Sequence, residues 1–554
     1  MTDQLLNSRW TKLLFALSVT TFVGLQISIT SRIAMFISIP FAFAITLIIQ
    51  YKFKILDKVF AVKSKKYMLI SLPISIYSSI EVVLNFHCRI LSKMFVSNNT
   101  IAVHIRSLFT EPIIKLGLFI FSFASLVAVL FSVFLIVYAI VSRFRKLIIR
   151  LWIGTELLEK VYFVLSIILF GTLVALCYRL SPIFWGDNKL PWKGINFIFD
   201  LDIGYNFSED VQFYFPSANI KKLFFPLVNL PFAVVARAFG RILSFIPFSF
   251  VYFVQLFHIG LMAVCGILLA RMCNVKGFSK LSFLLIYTVS YPFLLFSIPC
   301  ERYILPTFCI ILLMFVCIYA PRNKYAAALA AAGTLTTSIV AFPFITYDKN
   351  IKTWFLNLIK LCGCFLAICT LCGVLALLIN PVQSILGQLK GFAGGVSIDQ
   401  KAFQFINFIG SCFVKPETEL IFRTDGKGIE FITYALAMPN AINWVGVLMI
   451  TLSIAGFIVN RKQRFAQMSF LWASFAFFVL FVLGWAAKGN EMFLTSYYFS
   501  WAFIALVFLL FEKLPNKLKI LKYSIFISAF VVMSIINIRG IIDLIKFGIQ
   551  YYPA

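Results

Sequence analysis

The sequence predicts an all-α polytopic membrane protein with about 13 to 14 transmembrane helices and with interfacial helices on its outer face. Of its 554 residues, 61% are hydrophobic and 13% are charged. Soluble domains are nearer half apolar and a quarter charged. The apolar residues also recur in runs of about 20, the length that crosses the hydrocarbon core. These observations exclude a soluble enzyme, a disordered chain and an ordinary nucleic-acid-binding domain.

The predicted spans divide the chain into two parts. Four spans form an N-terminal transmembrane module over residues 1–150, and the others form a core over residues 151–554 with long outer loops at 181–249 and 380–441. The spans are 12–31, 33–51, 67–86, 113–141, 160–180, 250–270, 281–299, 303–320, 326–346, 356–379, 442–460, 467–487, 495–511 and 521–538.

The positive charge of the chain predicts its orientation. The net charge is +28, from 49 basic and 21 acidic residues. Lys and Arg collect in loops that follow the second, fourth, sixth, eighth and later spans, as expected of cytoplasmic loops. We therefore expect a multi-pass protein of a bacterial plasma membrane, with a cytoplasmic N-terminus and with the loop 181–249 outside.

One pair of spans conflicts with this orientation. If 326–346 and 356–379 both crossed fully, the loop 380–441 and the basic loop at Arg461 could not both lie where their charge places them. We expect a broken or re-entrant segment, because non-helical backbone is tolerated at membrane depth where protein or water satisfies it. The run from Gly333 to Ser338, after an Ala-rich stretch, is the predicted site of the break.

The first outer loop concentrates acidic residues. Four of the 21 acids of the chain fall within eleven residues there. They are Asp200, Asp202, Glu209 and Asp210. Carboxylates beside lipid are costly, so the concentration indicates a function, although solvation of a loop or capping of a helix is the simpler alternative.

These residue types suit glycosyl transfer at a membrane surface. Asp202, or Asp200, is the candidate general base on an acceptor hydroxyl, and nearby cations can hold the phosphate of a lipid-linked sugar donor. Lys221, Lys222 and Arg237 are the candidate cations. Glu209 and Asp210 are weaker candidates for binding a divalent cation, Mg²⁺ or Mn²⁺.

Three segments resemble the polytopic glycosyltransferases of the C-type fold (GT-C), the group that includes protein O-mannosyltransferases and aminoarabinose transferases. The first contains Asp202 and Gly204, followed by residues 219–227, where Lys222 and Leu223 stand in place of the His-Pro of some members. The second runs over 290–303 and contains Glu301 and Arg302. The third runs over 489–498 and contains Glu491.

The resemblance covers the architecture of about residues 150–540 and implies a GT-C-like fold. It implies transfer of a sugar from a polyprenyl-phosphate donor to a glycan, lipid or protein acceptor at the outer face. Glu301, Arg302 and Glu491 become candidate substrate-binding residues, although each also suits an ordinary ion pair at a helix end. A lipid-linked oligosaccharide flippase and a polysaccharide polymerase or ligase are the alternatives.

Overall fold

The structure is a computed structural model that describes most of the chain after residue 153. It describes residues 40–48, 154–187, 197–199, 221–371, 396–424, 430–437, 443–487 and 491–554, and the single positions 16, 20, 116, 120, 190, 201, 203, 374 and 428. The predicted module 1–150, with its first four spans, lies almost wholly outside these residues. The division at residue 150 therefore stays a prediction.

The described part is mostly helical. Its helices are α1 (Leu157–Leu180), α2 (Phe225–Ile242), α3 (Ser249–Met272), α4 (Gly277–Val289), α5 (Tyr291–Phe296), α6 (Ile304–Tyr319), α7 (Lys324–Thr334), α8 (Phe342–Thr346), α9 (Ile351–Leu371), α10 (Ile398–Ser411), α11 (Asn443–Asn460), α12 (Arg464–Ala476), α13 (Ser496–Glu512) and α14 (Lys519–Tyr551). Two strands, β1 (Thr418–Thr424) and β2 (Glu430–Leu436), form an antiparallel hairpin that pairs Ile421 with Thr433.

Six segments in the described ranges are long and apolar enough to cross a membrane, in agreement with a membrane protein. They are Leu157–Leu180, Ser249–Met272, Ile351–Leu371, Arg464–Val482, Met492–Glu512 and Asn516–Tyr551. Shorter apolar helices, among them α4, α6 and α11, accompany them. Exposed faces of these helices carry Leu, Ile, Val and Phe, as lipid contact requires.

Two helix breaks fall inside predicted spans. The span predicted at 281–299 is interrupted at Ser290, because the ring of Pro292 would clash with the carbonyl of residue 288 in a continuous helix. The span predicted at 326–346 ends as an α-helix at Thr334, and Leu335 is extended before the 3-10 turn Thr336–Ala341. The irregular place predicted from Gly333 to Ser338 is therefore confirmed.

The hairpin of β1 and β2 is the element that the all-α expectation missed. It lies within the predicted outer loop 380–441. Strand β1 alternates Leu420, Phe422 and Thr424 toward one face, but the run is short and its apolar residues are also compatible with an interfacial helix. Pairing with β2 decides the conformation, since a strand needs a partner to satisfy its backbone.

The chain divides into two compact units. The first contains residues 1–155, 209–230 and 346–384, and in its described part Phe224 packs on Phe365 of α9 with ring centroids 5.1 Å apart. The second contains residues 156–208, 231–345 and 385–554 and holds most of the described helices.

The helices of the second unit have two distinct ends. At one end the hairpin, Leu180 at the end of α1 and the C-terminal residues come together, with the N–H of Ala554 donating to the Leu180 carbonyl at 3.2 Å. We call this the hairpin end. At the other end Tyr319 donates from its hydroxyl to the Arg271 carbonyl at 3.0 Å, beside the basic loops. We call this the basic end.

Helix α11 approaches its neighbours through glycine. A Cβ added to Gly456 would overlap the Leu506 carbonyl oxygen of α13, and one added to Gly446 would overlap the Ile406 carbonyl oxygen of α10. Small residues at such crossings let helix backbones pack closely in membranes.

Substituting Gly456→Ala is expected to destabilise the second unit by about 3 kcal/mol, because the methyl group must push two backbones apart. The matched control is Gly363→Ala in α9, where an added Cβ meets no atom within 4 Å. Thermal unfolding in detergent measures both variants. Equal unfolding temperatures for the two variants would contradict the close approach of α11 and α13.

Candidate active site at the hairpin end

A three-residue segment before the predicted catalytic acids extends the hairpin. The Phe199 N–H donates to the Tyr434 carbonyl at 2.7 Å, and the Tyr434 N–H donates to the Phe197 carbonyl at 2.9 Å. Residues 197–199 therefore lie beside β2, opposite β1, with a parallel bridge between Ile198 and Tyr434. Phe199 has a positive φ of 49°, an uncommon conformation for a residue with a large side chain.

Two of the segments that carry the family resemblance meet at Phe199, which lies three residues before Asp202 of the remaining segment. Its ring lies 6.5 Å from that of Tyr291 at the start of α5 and 5.1 Å from that of Phe493 before α13. The rings of Tyr291 and Phe493 are 6.0 Å apart. Residues distant in sequence thus form one buried aromatic cluster, which we call the Phe199 cluster (Phe199, Tyr291, Tyr434 and Phe493).

The four predicted acids lie outside the described residues. They are Asp200, Asp202, Glu209 and Asp210. The described neighbours of the first two acids in sequence, Phe199, Leu201 and Ile203, are all buried, and the Leu201 N–H donates to the Ile198 carbonyl at 2.9 Å. The base at Asp202 or Asp200 stays a prediction.

Glu301 and Arg302 lie in the buried turn between α5 and α6. Their exposed fractions are 2% and 7%, and Glu301 Oε2 accepts a hydrogen bond from the Arg302 backbone N–H at 3.1 Å. Since buried charges are costly and rare, their position is that of functional or strongly structured groups rather than of a solvated pair at a helix end.

Polar side chains of two long helices hold the backbone of this turn. Gln255 of α3 donates through Nε2 to the carbonyls of Phe296 and Ser297, at 2.9 and 2.7 Å. Tyr178 of α1 donates its hydroxyl to the Ile298 carbonyl at 3.0 Å. The turn that presents Glu301 is therefore fixed by α1 and α3.

A thiol and an imidazole lie beside Glu301. Cys300 Sγ is 3.7 Å from Nδ1 of His258, and both side chains are buried. Burial raises the pKa of the Cys300 thiol well above its usual value, and the neighbouring Glu301 carboxylate raises it further. Cys300 is therefore a neutral thiol and not an activated nucleophile.

One hydroxyl of the Phe199 cluster is left without a described partner. Tyr291 is fully buried, and its Oη makes no hydrogen bond to any residue within the described ranges. A buried phenol usually finds a partner. The Tyr291 hydroxyl is thus a candidate contact for substrate that sequence reasoning missed, although residue 291 stood within a segment of the resemblance.

The last helix braces the same end of the unit. Asn537 of α14 donates through Nδ2 to the carbonyls of Val289 and Phe413, each at 2.7 Å, and its Oδ1 accepts from the Lys415 N–H at 2.7 Å. Lys415 Nζ also pairs with Asp543 at 3.1 Å. The sequence signal was an asparagine inside an apolar run.

A tyrosine at the end of the chain completes the brace. The Tyr552 hydroxyl donates to the Ile432 carbonyl at 2.8 Å and accepts from the Ile432 N–H at 2.7 Å, so it pairs with β2 much as another strand would. Burial raises the pKa of Tyr552, and the bond to the Ile432 backbone partly opposes that rise. The phenol is therefore protonated at neutral pH and able to donate.

The other predicted binding residues are more dispersed. Lys221 and Lys222 are half-buried and belong to the first unit. The guanidinium of Arg237 in α2 lies 5.2 Å from the ring centroid of Phe250, within the range of a cation–π contact. Glu491 begins the 3-10 turn Glu491–Thr495.

Within the described part of the chain, no three His, Cys, Asp or Glu side chains are grouped so as to hold a metal ion. The predicted ligands Glu209 and Asp210 are not among those residues. Comparisons with protein-family models, with curated proteins and with solved structures find no match to this chain. The described residues form a helical membrane protein with buried polar and aromatic side chains clustered at one end.

Proposed function

We propose that the protein is a GT-C-like membrane glycosyltransferase that moves a sugar from a polyprenyl-phosphate donor to an acceptor hydroxyl. The observation that carries this proposal is the meeting of the segments around residues 199, 291 and 493 in the Phe199 cluster. Tyr291 and Phe493 lie in two segments that resemble the same family, and Phe199 lies just before Asp202 of the third. An active site built from these segments would require them to come together in this way.

The proposed reaction is an inverting displacement. The Asp202 carboxylate removes the proton of the acceptor hydroxyl while its oxygen attacks the anomeric carbon. The bond between that carbon and the phosphate oxygen breaks, and polyprenyl phosphate leaves with the bonding electron pair. Arg302, which belongs to the same unit as Asp202, is the candidate to stabilise the phosphate charge.

The buried turn at Glu301 suits the positioning of a polar sugar. Fixed polar groups in a site without water act more strongly than the same groups in solvent. Tyr178 of α1 and Gln255 of α3 hold the backbone of residues 296–298 just before Glu301, and the Arg302 N–H donates to its carboxylate, so that carboxylate would need little reorganisation to accept hydrogen bonds from sugar hydroxyls. Glu301→Gln is therefore expected to raise KM for the donor more than it lowers kcat.

The test is sugar transfer by the purified protein. Detergent-solubilised protein is given polyprenyl-phosphate-linked hexoses and pentoses with labelled sugar, together with lipid extract from the host membrane as acceptor. We expect a labelled product that no longer carries the polyprenyl phosphate. Movement of intact donor across sealed vesicles without a new glycosidic bond would instead identify a flippase, and extension of a lipid-linked polymer would identify a polymerase.

A further inference from the structure

A polar cavity opens at the basic end of the second unit, far along the helices from the Phe199 cluster. Its volume is about 570 Å³. It lies where three helices end: α3 at Met272, α11 at Asn460 and α13 at Glu512. We call it the basic-end pocket; its lining includes Asn460, Arg461, Lys462, Leu509, Glu512 and Lys513.

The inner part of the basic-end pocket offers hydrogen-bond acceptors. Asn460 is buried and uses its Nδ2 group to donate to the carbonyls of Gly456 and Leu509, at 2.9 and 3.2 Å. Its Oδ1 has no hydrogen-bond partner among the described residues, and neither has Oε2 of Glu512. Buried acceptors of this kind cost free energy unless a donor reaches them.

The charge of this inner part favours a cationic donor. Glu512 forms an ion pair with Lys522 through Oε1, which lies 3.2 Å from Nζ. Its other oxygen, Oε2, is buried. The three helix C-termini add the negative ends of their dipoles. A primary ammonium group, which has three donors and no acceptor, matches two acceptors in such a field.

The rim of the pocket has the opposite charge. Arg461, Lys462 and Lys513 are all exposed at its opening. Basic pockets between membrane helices bind the phosphate of lipid headgroups. A ligand that satisfies both regions joins a phosphate to a primary ammonium by a short link.

We propose that the basic-end pocket binds the headgroup of a phosphoethanolamine-bearing phospholipid. The ammonium group donates to Asn460 Oδ1 and Glu512 Oε2, and the phosphodiester contacts the cations of the rim. The position at the ends of membrane helices places the acyl chains beside the exposed apolar residues of α11, among them Ile454, Ile458 and Val459. Lipid binding at this site would make the stability of the helix bundle depend on the phospholipid composition of the membrane.

Native mass spectrometry of the whole protein in detergent tests the ammonium contact. We expect dioleoyl phosphatidylethanolamine to be retained about tenfold more tightly than dioleoyl phosphatidylcholine, which has the same charge but no N–H donor. Equal retention of the two lipids would overturn the proposal. Glycerophosphoethanolamine, the same headgroup without acyl chains, should bind much more weakly, and binding as tight as that of the lipid would refute the assignment to a membrane lipid.

Two pairs of variants separate the ligand contacts from the folding of the site. Glu512→Gln and Lys522→Gln break the same ion pair, but only the first removes the carboxylate whose Oε2 is buried, so only the first should abolish the preference for ethanolamine. The double variant Arg461→Gln with Lys462→Gln should weaken both lipids about 10- to 30-fold. Its matched control, Lys517→Gln with Lys519→Gln, removes two charges outside the pocket and should leave retention unchanged. Equal effects within either pair would contradict the proposed contacts.

Discussion

Asp202→Asn is expected to lower sugar transfer about 10²- to 10⁴-fold, because the amide cannot take the proton of the acceptor hydroxyl. The substitution keeps the size of the side chain, so donor binding should change little. We expect the loss in kcat, which is measured as the initial rate at saturating donor. This expectation rests on the proposed function and on the placement of the neighbouring Phe199 against β2.

Two further variants make this experiment decisive. Glu419→Gln removes an exposed carboxylate from β1 of the hairpin and should leave the rate unchanged. Asp200→Asn tests the alternative base. If transfer persists at the wild-type rate in both Asp202→Asn and Asp200→Asn, the assignment of the base to this segment is wrong.

Glu159→Ala is expected to cost about 3–5 kcal/mol of stability, because it leaves two cations without their buried partner. Only 1% of the Glu159 side chain is exposed. Its Oε1 accepts from Arg271 Nε and from Lys280 Nζ, each at 3.1 Å, and its Oε2 accepts from Arg271 Nη2 at 2.5 Å. These contacts join α1, α3 and α4 at the basic end, so their loss should loosen three helices together.

The matched control for this variant is Glu156→Ala. Glu156 also contacts Lys280, with Oε1 and Nζ 2.8 Å apart, but 55% of its side chain is exposed. Its loss should cost less than about 1 kcal/mol, as for most surface ion pairs. Thermal unfolding in detergent compares the two variants with the wild type. Similar losses of stability in the two variants would mean that the burial of Glu159 adds nothing to the free energy of unfolding.

The membrane-spanning helices were predictable because their signal is local. Apolar runs of about 20 residues need no knowledge of neighbours. The ends of α6 (Ile304–Tyr319) and of α11 therefore agree with the predicted spans 303–320 and 442–460 to within about a residue, the uncertainty of helix ends in general. The last helix departs from its predicted span. It continues to Tyr551, well beyond the predicted end at 538, and Asp543 in this extension pairs with Lys415.

The roles of the charged residues were harder to predict, because the same Lys or Arg can fix topology, form an ion pair inside the protein or bind phosphate. Arg271 and Lys280 lie in the basic loop after the sixth predicted span, where the positive-inside rule explains them, and both also bind Glu159 within the protein. Arg237 was assigned to phosphate binding, and its guanidinium lies over Phe250. Only the distances between side chains separate these roles.

The sequence by itself determined that the chain is a helical membrane protein, and it located a break near Gly333. Both properties follow from the short-range cost of placing backbone or charge in lipid. The tertiary structure alone decided that Phe199, Tyr291 and Phe493 meet, that residues 418–436 form a hairpin, and that Glu159 is buried between two cations. Those contacts join residues far apart in sequence, and their free energy depends on partners that no local pattern specifies.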